Sequence, residues 1–159
     1  MIRPVICPQE KYGKRSMTIT KHGSAHWKGS IREGHGTITT ESGALQAVPY
    51  GFATRFEGKP GSNPEELLAA AHAACFSMAL SLILGEAGLT AQSIHTEAAV
   101  HLDKTDTGFG ITQVDLTLKA DVPGATAEQF LALAEKAKAG CPVSKLFRAD
   151  ITLRAELEG

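Results

Sequence analysis

The 159 residues carry 16 basic and 17 acidic side chains, a formal net charge of −1, with 43% hydrophobic and 21% charged residues. Such a balance fits one ordinary globular domain with a sizeable core, and it forces no basic face of the kind nucleic acid requires. Its 3 cysteines are too few for a disulfide scaffold.

Residues 1–16 (MIRPVICPQEKYGKRS) hold two prolines, scattered charges and no amphipathic period. They read as a loosely held extension containing Cys7, with neither the hydrophobic region nor the cleavage site of a secretory signal. The single domain is expected over 17–159, in the cytoplasm, where a lasting disulfide is disfavoured and a catalytic one is allowed. Thr18 to Ile31 reads as strand, with Ile19, Trp27 and Ile31 amid polar residues. The run Arg32 to Gly36 is a turn signal, and Thr37 to Thr40 a β-branched return strand. Glu41 to Ser62 then reads as a long connection in which YGFATRFEG sets Tyr50, Phe52 and Phe56 around Arg55. Long connections rich in aromatics are functional more often than disordered.

Asn63-Pro64-Glu65-Glu66 is a helix start: Asn63 caps, Pro64 suits the first helical position and Glu66 has capping-box spacing. The helix is expected to run to about Glu86, with Gly88 as its stop. Its longest apolar stretch, Leu67 to Leu84, is interrupted by His72, Ser77 and Ser81 and reads as too broken to span a bilayer. Being apolar on nearly every face, the helix demands burial on every face, which a second copy of the chain would supply. Ser93–Lys104 and Ile111–Val122 alternate and flank a TDTGFG turn, so they form a hairpin. Thr126 caps an amphipathic helix with Phe130, Leu131, Leu133, Ala134 and Ala137 inward. Gly140 ends it, Pro142 starts a short helical turn, and Ile151, Leu153, Ala155 and Leu157 mark a last strand. The fold expected is α+β, with antiparallel strands around a long central apolar helix.

Two cysteines in the body of the chain hold the chemical interest. Cys75 lies mid-helix among apolar neighbours, where a thiol is commonly inert filling with a raised pKa. Cys141, between Gly140 and Pro142, can cap the short helix, whose free N–H groups favour a thiolate; it can equally fill a corner between helices. His72 shares a helix face with Cys75, which permits a metal site or a His–Cys nucleophile, but no further ligand pair completes a zinc site. Taken alone, Arg55 reads as a surface arginine and Glu65 as a helix-start acid.

From Met17 onward the chain resembles the OsmC branch of the OsmC/Ohr family of thiol peroxidases. The resemblance runs through AHWKGSI, TTESG, PYGFATRFEG, NPEELLAAAHAACFSMALSLILGEAGLT, DKTDTGFGIT and KAKAGCPVSKLF, and so covers nearly everything but residues 1–16. It implies an intertwined homodimer with active sites at the subunit interface, needing no metal or organic cofactor. It also implies reduction of organic hydroperoxides and hydrogen peroxide, with Cys75 the peroxidatic residue, Cys141 the resolving one, Arg55 the thiolate partner and Glu65 the residue holding Arg55. A dithiol, of lipoyl type by the same resemblance, would reopen the disulfide. Tyr50, Phe52 and Phe56 are candidates for an apolar substrate entry; Cys7, His101 and Met78 are assigned no chemistry, and His72 reads as a core residue.

Glu65 and Cys75 are ten residues apart on one helix, about 15 Å of rise. Side chains lean toward the helix N-terminus, which carries Glu65 further away. Arg55 and Glu65 are therefore expected to reach Cys75 from the other subunit. The alternatives are a non-enzymatic cysteine-based oxidant sensor, a carrier of a small apolar ligand, and a His72/Cys75 hydrolase or metal site.

Overall fold

The computed structural model describes residues 18–158; the expectations for residues 1–16, Cys7 and Met17 lie outside them. In chain order the elements are β1 (Gly23–Lys28), β2 (His35–Thr40), β3 (Val48–Gly51), α1 (Phe52–Phe56), α2 (Pro64–Glu86), β4 (Ser93–Thr105), β5 (Gly108–Asp121), α3 (Ala127–Gly140), α4 (Pro142–Leu146) and β6 (Asp150–Glu158).

The first three strands form an antiparallel sheet in the order β1-β2-β3. Where sequence alone reads one long connection, Val48–Gly51 adds a strand to β2 and Phe52–Phe56 turns into a short helix. Gly36 is obligatory in this sheet, because a Cβ there would lie 2.3 Å from the His26 carbonyl and 2.5 Å from the Tyr50 ring. The second sheet has the order β4-β5-β6. Its hairpin turns tightly between Thr105 and Gly108, with a register shift at His101/Leu102.

One pairing departs from expectation. β6 runs parallel to β5, from Gln113↔Asp150 to Asp121↔Glu158. A parallel neighbour cannot follow a tight turn; the chain must cross over, and α3 with α4 make that crossing. Alternation alone does not encode strand direction, which is why the antiparallel expectation fails here.

The central strand β5 carries Val114, Leu116, Leu118 and Ala120 inward, all at most 1% exposed. Leu116, Leu118 and Ala120 meet Phe76, Leu80, Ile83 and Leu84 of α2 and Phe130, Ala134 and Ala137 of α3 in one core. Leu131, expected inward, is 47% exposed. It falls beside the buried row formed by Phe130, Ala134 and Ala137.

Helix α2 starts as its sequence dictates: the Asn63 side chain accepts from the Glu66 N–H at 2.9 Å, with Pro64 in the first turn. Its 23 residues span about 35 Å, so on length and composition the helix could cross a bilayer after all. It is a globular core helix instead, packed against β4, α3 and α4. Only one face is covered, however. Ala71, Ala74, Met78, Ser81 and Leu82 form a continuous exposed stripe, with Met78 75% and Leu82 66% exposed. The first sheet and α1 also make only slight contact with the α2-centred core.

Candidate active site

Cys75 and Cys141 meet where α2 packs against the start of α4. The α2 spacing that buries His72, Phe76 and Leu80 leaves Cys75 half-buried at the edge of that face, while Cys141 is fully buried. Gly140 ends α3, and Cys141, with extended backbone (φ −60°, ψ 125°), is both the C-cap of α3 and the N-cap of α4. Pro142 then enters α4 without needing a backbone partner. The corner is held by the Cys141 N–H donating to the Ala137 carbonyl at 2.8 Å and the Lys145 N–H donating to the Cys141 carbonyl at 3.1 Å. The N-cap expectation is met in backbone geometry.

The two thiols lie close enough to influence each other's ionisation. Burial pushes the Cys75 thiol up, the Val143 backbone N–H pulls it partly back, and contact with Cys141 and its charge push it up again; the net direction is upward. Burial also opposes ionisation of Cys141. It is outweighed by the Ser144 backbone N–H, the Cys75 thiol, the Ser144 hydroxyl and the Val143 backbone N–H, so this thiol falls below its ordinary value. The first turn of α4 thus draws negative charge toward Cys141. Among the described residues of one chain no cation contributes to the environment of Cys75.

The expected cation is elsewhere and already engaged. Arg55, on α1, grips Glu65 in the first turn of α2: Nη2 donates to Oε1 at 2.6 Å, and Nε donates to both carboxylate oxygens at 3.1 and 3.2 Å. Two further bonds set this geometry. Asn63 Nδ2 donates to the Thr54 carbonyl at 3.3 Å, and the Thr54 hydroxyl donates to the Ser62 carbonyl at 2.9 Å. Glu65 is 13% and Arg55 34% exposed, so the pair is partly shielded and the arginine retains an open side. Phe56 lies under the guanidinium at 5.2 Å, Phe52 is 4.8 Å from Phe56, and Phe109 is 5.6 Å from Phe56. Tyr50 does not join them; it packs on Trp27 at 5.4 Å. It instead lines a cleft of about 250 Å³ with Phe52, Arg32 and Pro60.

Arg55, Glu65 and the aromatics therefore assemble as one group, Cys75 and Cys141 as another. His72 is buried and turns away from Cys75: its Nε2 lies 2.8 Å from Ser144 Oγ, and its ring stacks on Phe147 at 5.3 Å. This removes the His–Cys nucleophile, and no cluster of three or more metal-ligating side chains exists among the described residues. Sequence reading passed over Ser144; its signal was a serine two residues after a proline at a helix start. A separate polar cluster lies on the outer face of the second sheet. There Asp115 accepts from Thr152 at 2.6 Å and Gln113 at 2.7 Å, and His101 Nε2 lies 2.8 Å from it.

An α+β chain that brings two free thiols together beneath a helix N-terminus has the architecture of a cysteine-based redox protein. The chain belongs to the OsmC-like protein family, whose model matches residues 56–156. It is 60% identical over 142 residues to the peroxiredoxin OsmC of Escherichia coli (strain K12), covering 89% of this chain and 99% of that one. It is 32% identical over 128 residues to the organic hydroperoxide resistance protein OhrB of Bacillus subtilis, covering 80% of this chain and 90% of that one. The crystal structure of that OhrB superposes with a TM-score of 0.63 at 28% identity, covering 88% of this chain and 98% of the other. An organic hydroperoxide resistance protein from Elizabethkingia anophelis superposes with a TM-score of 0.66 at 28% identity, over 90% and 98%.

Proposed function

We infer that this protein is a thiol-dependent peroxidase that reduces hydroperoxides, organic ones first. The observation that carries the reading is the facing pair Cys75 and Cys141 at the mouth of α4, in a chain whose relatives are a peroxiredoxin and organic hydroperoxide resistance proteins. The Cys75 thiolate attacks one peroxide oxygen; the O–O bond breaks, the other oxygen leaves as an alcohol or water after taking a proton, and Cys75 becomes a sulfenic acid. Cys141 then attacks the Cys75 sulfur and expels the oxygen as water, leaving a disulfide. A small dithiol, of lipoyl type, reopens it by exchange.

Cys75 takes the first role because it is the more accessible sulfur, yet in one chain its thiol is raised rather than lowered. We assign the missing positive charge to Arg55 of the partner subunit in a homodimer, with Glu65 fixing the guanidinium. Three features support this. Arg55 and Glu65 pair within their own chain without being part of the environment of its Cys75; α2 leaves an apolar stripe uncovered beside Cys75; and the first sheet has little to rest on in its own chain. A fixed cation in a dry site is an effective way to hold a thiolate negative. Phe52 and Phe56, already beside Arg55, form the apolar approach for an organic peroxide; Tyr50 contributes from the neighbouring cleft. A cytoplasmic location accords with two thiols kept reduced between turnovers.

The test is peroxide consumption with a dithiol donor. Cys75→Ser abolishes turnover. Cys141→Ser stops after one equivalent and accumulates a sulfenic acid that dimedone traps. Turnover persisting in Cys75→Ser would end the reading.

A further inference from the structure

His72 is the largest investment in this site that the peroxidase cycle leaves unused. It is a titratable side chain with no solvent exposure in the middle of an apolar helix. One ring nitrogen, Nε2, lies 2.8 Å from Ser144 Oγ, while Nδ1 has no partner among the described residues. Ser144 is itself 8% exposed. It stands at the third position of α4, counted from Cys141 as N-cap. In a helix's first turn those two positions bring their side chains together, and the Ser144 hydroxyl is among the groups that pull the Cys141 thiol down.

We propose that His72 is a positioning residue for the resolving step, acting through the Ser144 hydroxyl on the Cys141 sulfur. The direction of the chain follows from the partners. A buried N–H left without an acceptor is rarer and costlier than an acceptor left without a donor. The one hydrogen of the neutral imidazole therefore sits on Nε2 and donates to Ser144 Oγ. With its oxygen accepting, the serine turns its own hydrogen toward Cys141 Sγ, where it stabilises the thiolate that resolution needs. Burial lowers the pKa of His72 and keeps the ring neutral, and Phe147, stacked on the ring at 5.3 Å, fixes its plane.

In the step itself an S–S bond forms between Cys141 and Cys75, and the S–O bond of the sulfenic acid breaks. The Cys141 lone pair becomes the S–S bond and the S–O pair leaves with the oxygen, so Cys141 is oxidised and Cys75 reduced to the common disulfide level; the departing hydroxide takes the proton that Cys141 gave up, leaving as water. No outside oxidant or reductant enters.

This proposal rests on the peroxidase reading, and the experiment separates the two. The reduced full-length dimer is mixed with one equivalent of cumene hydroperoxide per site and quenched over time. Sulfenic acid is scored by dimedone adduct and disulfide by mass spectrometry. Ser144→Ala and His72→Phe are expected to slow sulfenic-to-disulfide conversion at least about tenfold, the worth of one hydrogen bond to a charged sulfur. The double variant should be no slower than Ser144→Ala alone. His72→Gln, whose amide nitrogen reaches the place of Nε2, should recover most of the rate, which a merely structural histidine would not predict. If His72→Phe fails to fold, Ser144→Ala decides. Disulfide formation at the wild-type rate in Ser144→Ala overturns the assignment, as does His72→Gln no faster than His72→Phe. If the wild-type chain forms no Cys75–Cys141 disulfide at all, the peroxidase reading falls and this assignment with it.

Discussion

Arg55 illustrates how a residue's neighbours decide its meaning. Locally it is a partly exposed arginine bound to a carboxylate through both Nε and Nη2, an arrangement that holds the guanidinium plane in one orientation. The Cys75 thiol, which the proposed function requires to ionise, has no cation beside it among the described residues of its own chain. Replacing Arg55 by alanine is expected to raise the Cys75 pKa and slow the first oxidation by about a hundredfold, the usual cost of removing one electrostatic stabiliser from a closed site. Stopped-flow oxidation measured across pH would report both, because with less thiolate at neutral pH the variant regains rate only as pH rises. Asp115 supplies a second titration. The Thr152 hydroxyl, the Gln113 amide and His101 hold its carboxyl at about 2, below its ordinary 3.8. A depressed acid contributes stability that is complete above its unfolded pKa and is lost as pH falls through the folded one. Asp115→Asn should therefore melt below wild type at neutral pH, and the gap should close between pH 3.8 and about 2. Chemical denaturation at several pH values checks this.

At the level of elements, α2 was the easiest to read and the easiest to misjudge. Its start, its Asn63 cap and its end near Glu86 are written in Asn-Pro and Gly88, and the capped helix carrying Cys141 into α4 is written in Gly-Cys-Pro. Its uniform apolarity implied cover on every side, whereas the chain covers only the side carrying His72, Phe76 and Leu80. The stripe with Met78 and Leu82 stays open. We expect Met78→Glu to place a charge in the proposed subunit interface and so to give monomers with little peroxidase activity. Light scattering after size exclusion reads the first effect and a dithiol-coupled assay the second. The direction of β6 was illegible because a buried face shows only alternation; parallel pairing is settled by how α3 and α4 return the chain, a matter of three-dimensional closure. Ser144 was missed for a related reason: its partner His72 is 72 residues away in sequence.

At the scale of the whole molecule, the proposed function divides the chemistry between two copies. If Arg55 and Cys75 serve one site from different subunits, two impaired variants should rescue each other. Mixing Arg55→Ala with Cys75→Ser under conditions that exchange subunits should restore up to about a quarter of the sites. Half the dimers would then be mixed, each with one site holding an intact arginine and an intact thiol. A site built within a single chain would show no recovery. The crossover that carries β6 into the sheet has another outcome. Cys141 lies on that crossing while Cys75 lies before the whole β4–β5 hairpin, so the Cys75–Cys141 disulfide proposed above would tie a covalent ring around the hairpin and α3. A ring of that size restricts the unfolded chain by about 4 kcal/mol in the chain-entropy view. Every cycle of oxidation and reduction would thus tighten and release the backbone, and the enzyme at rest in its oxidised form would be the sturdier of its two states.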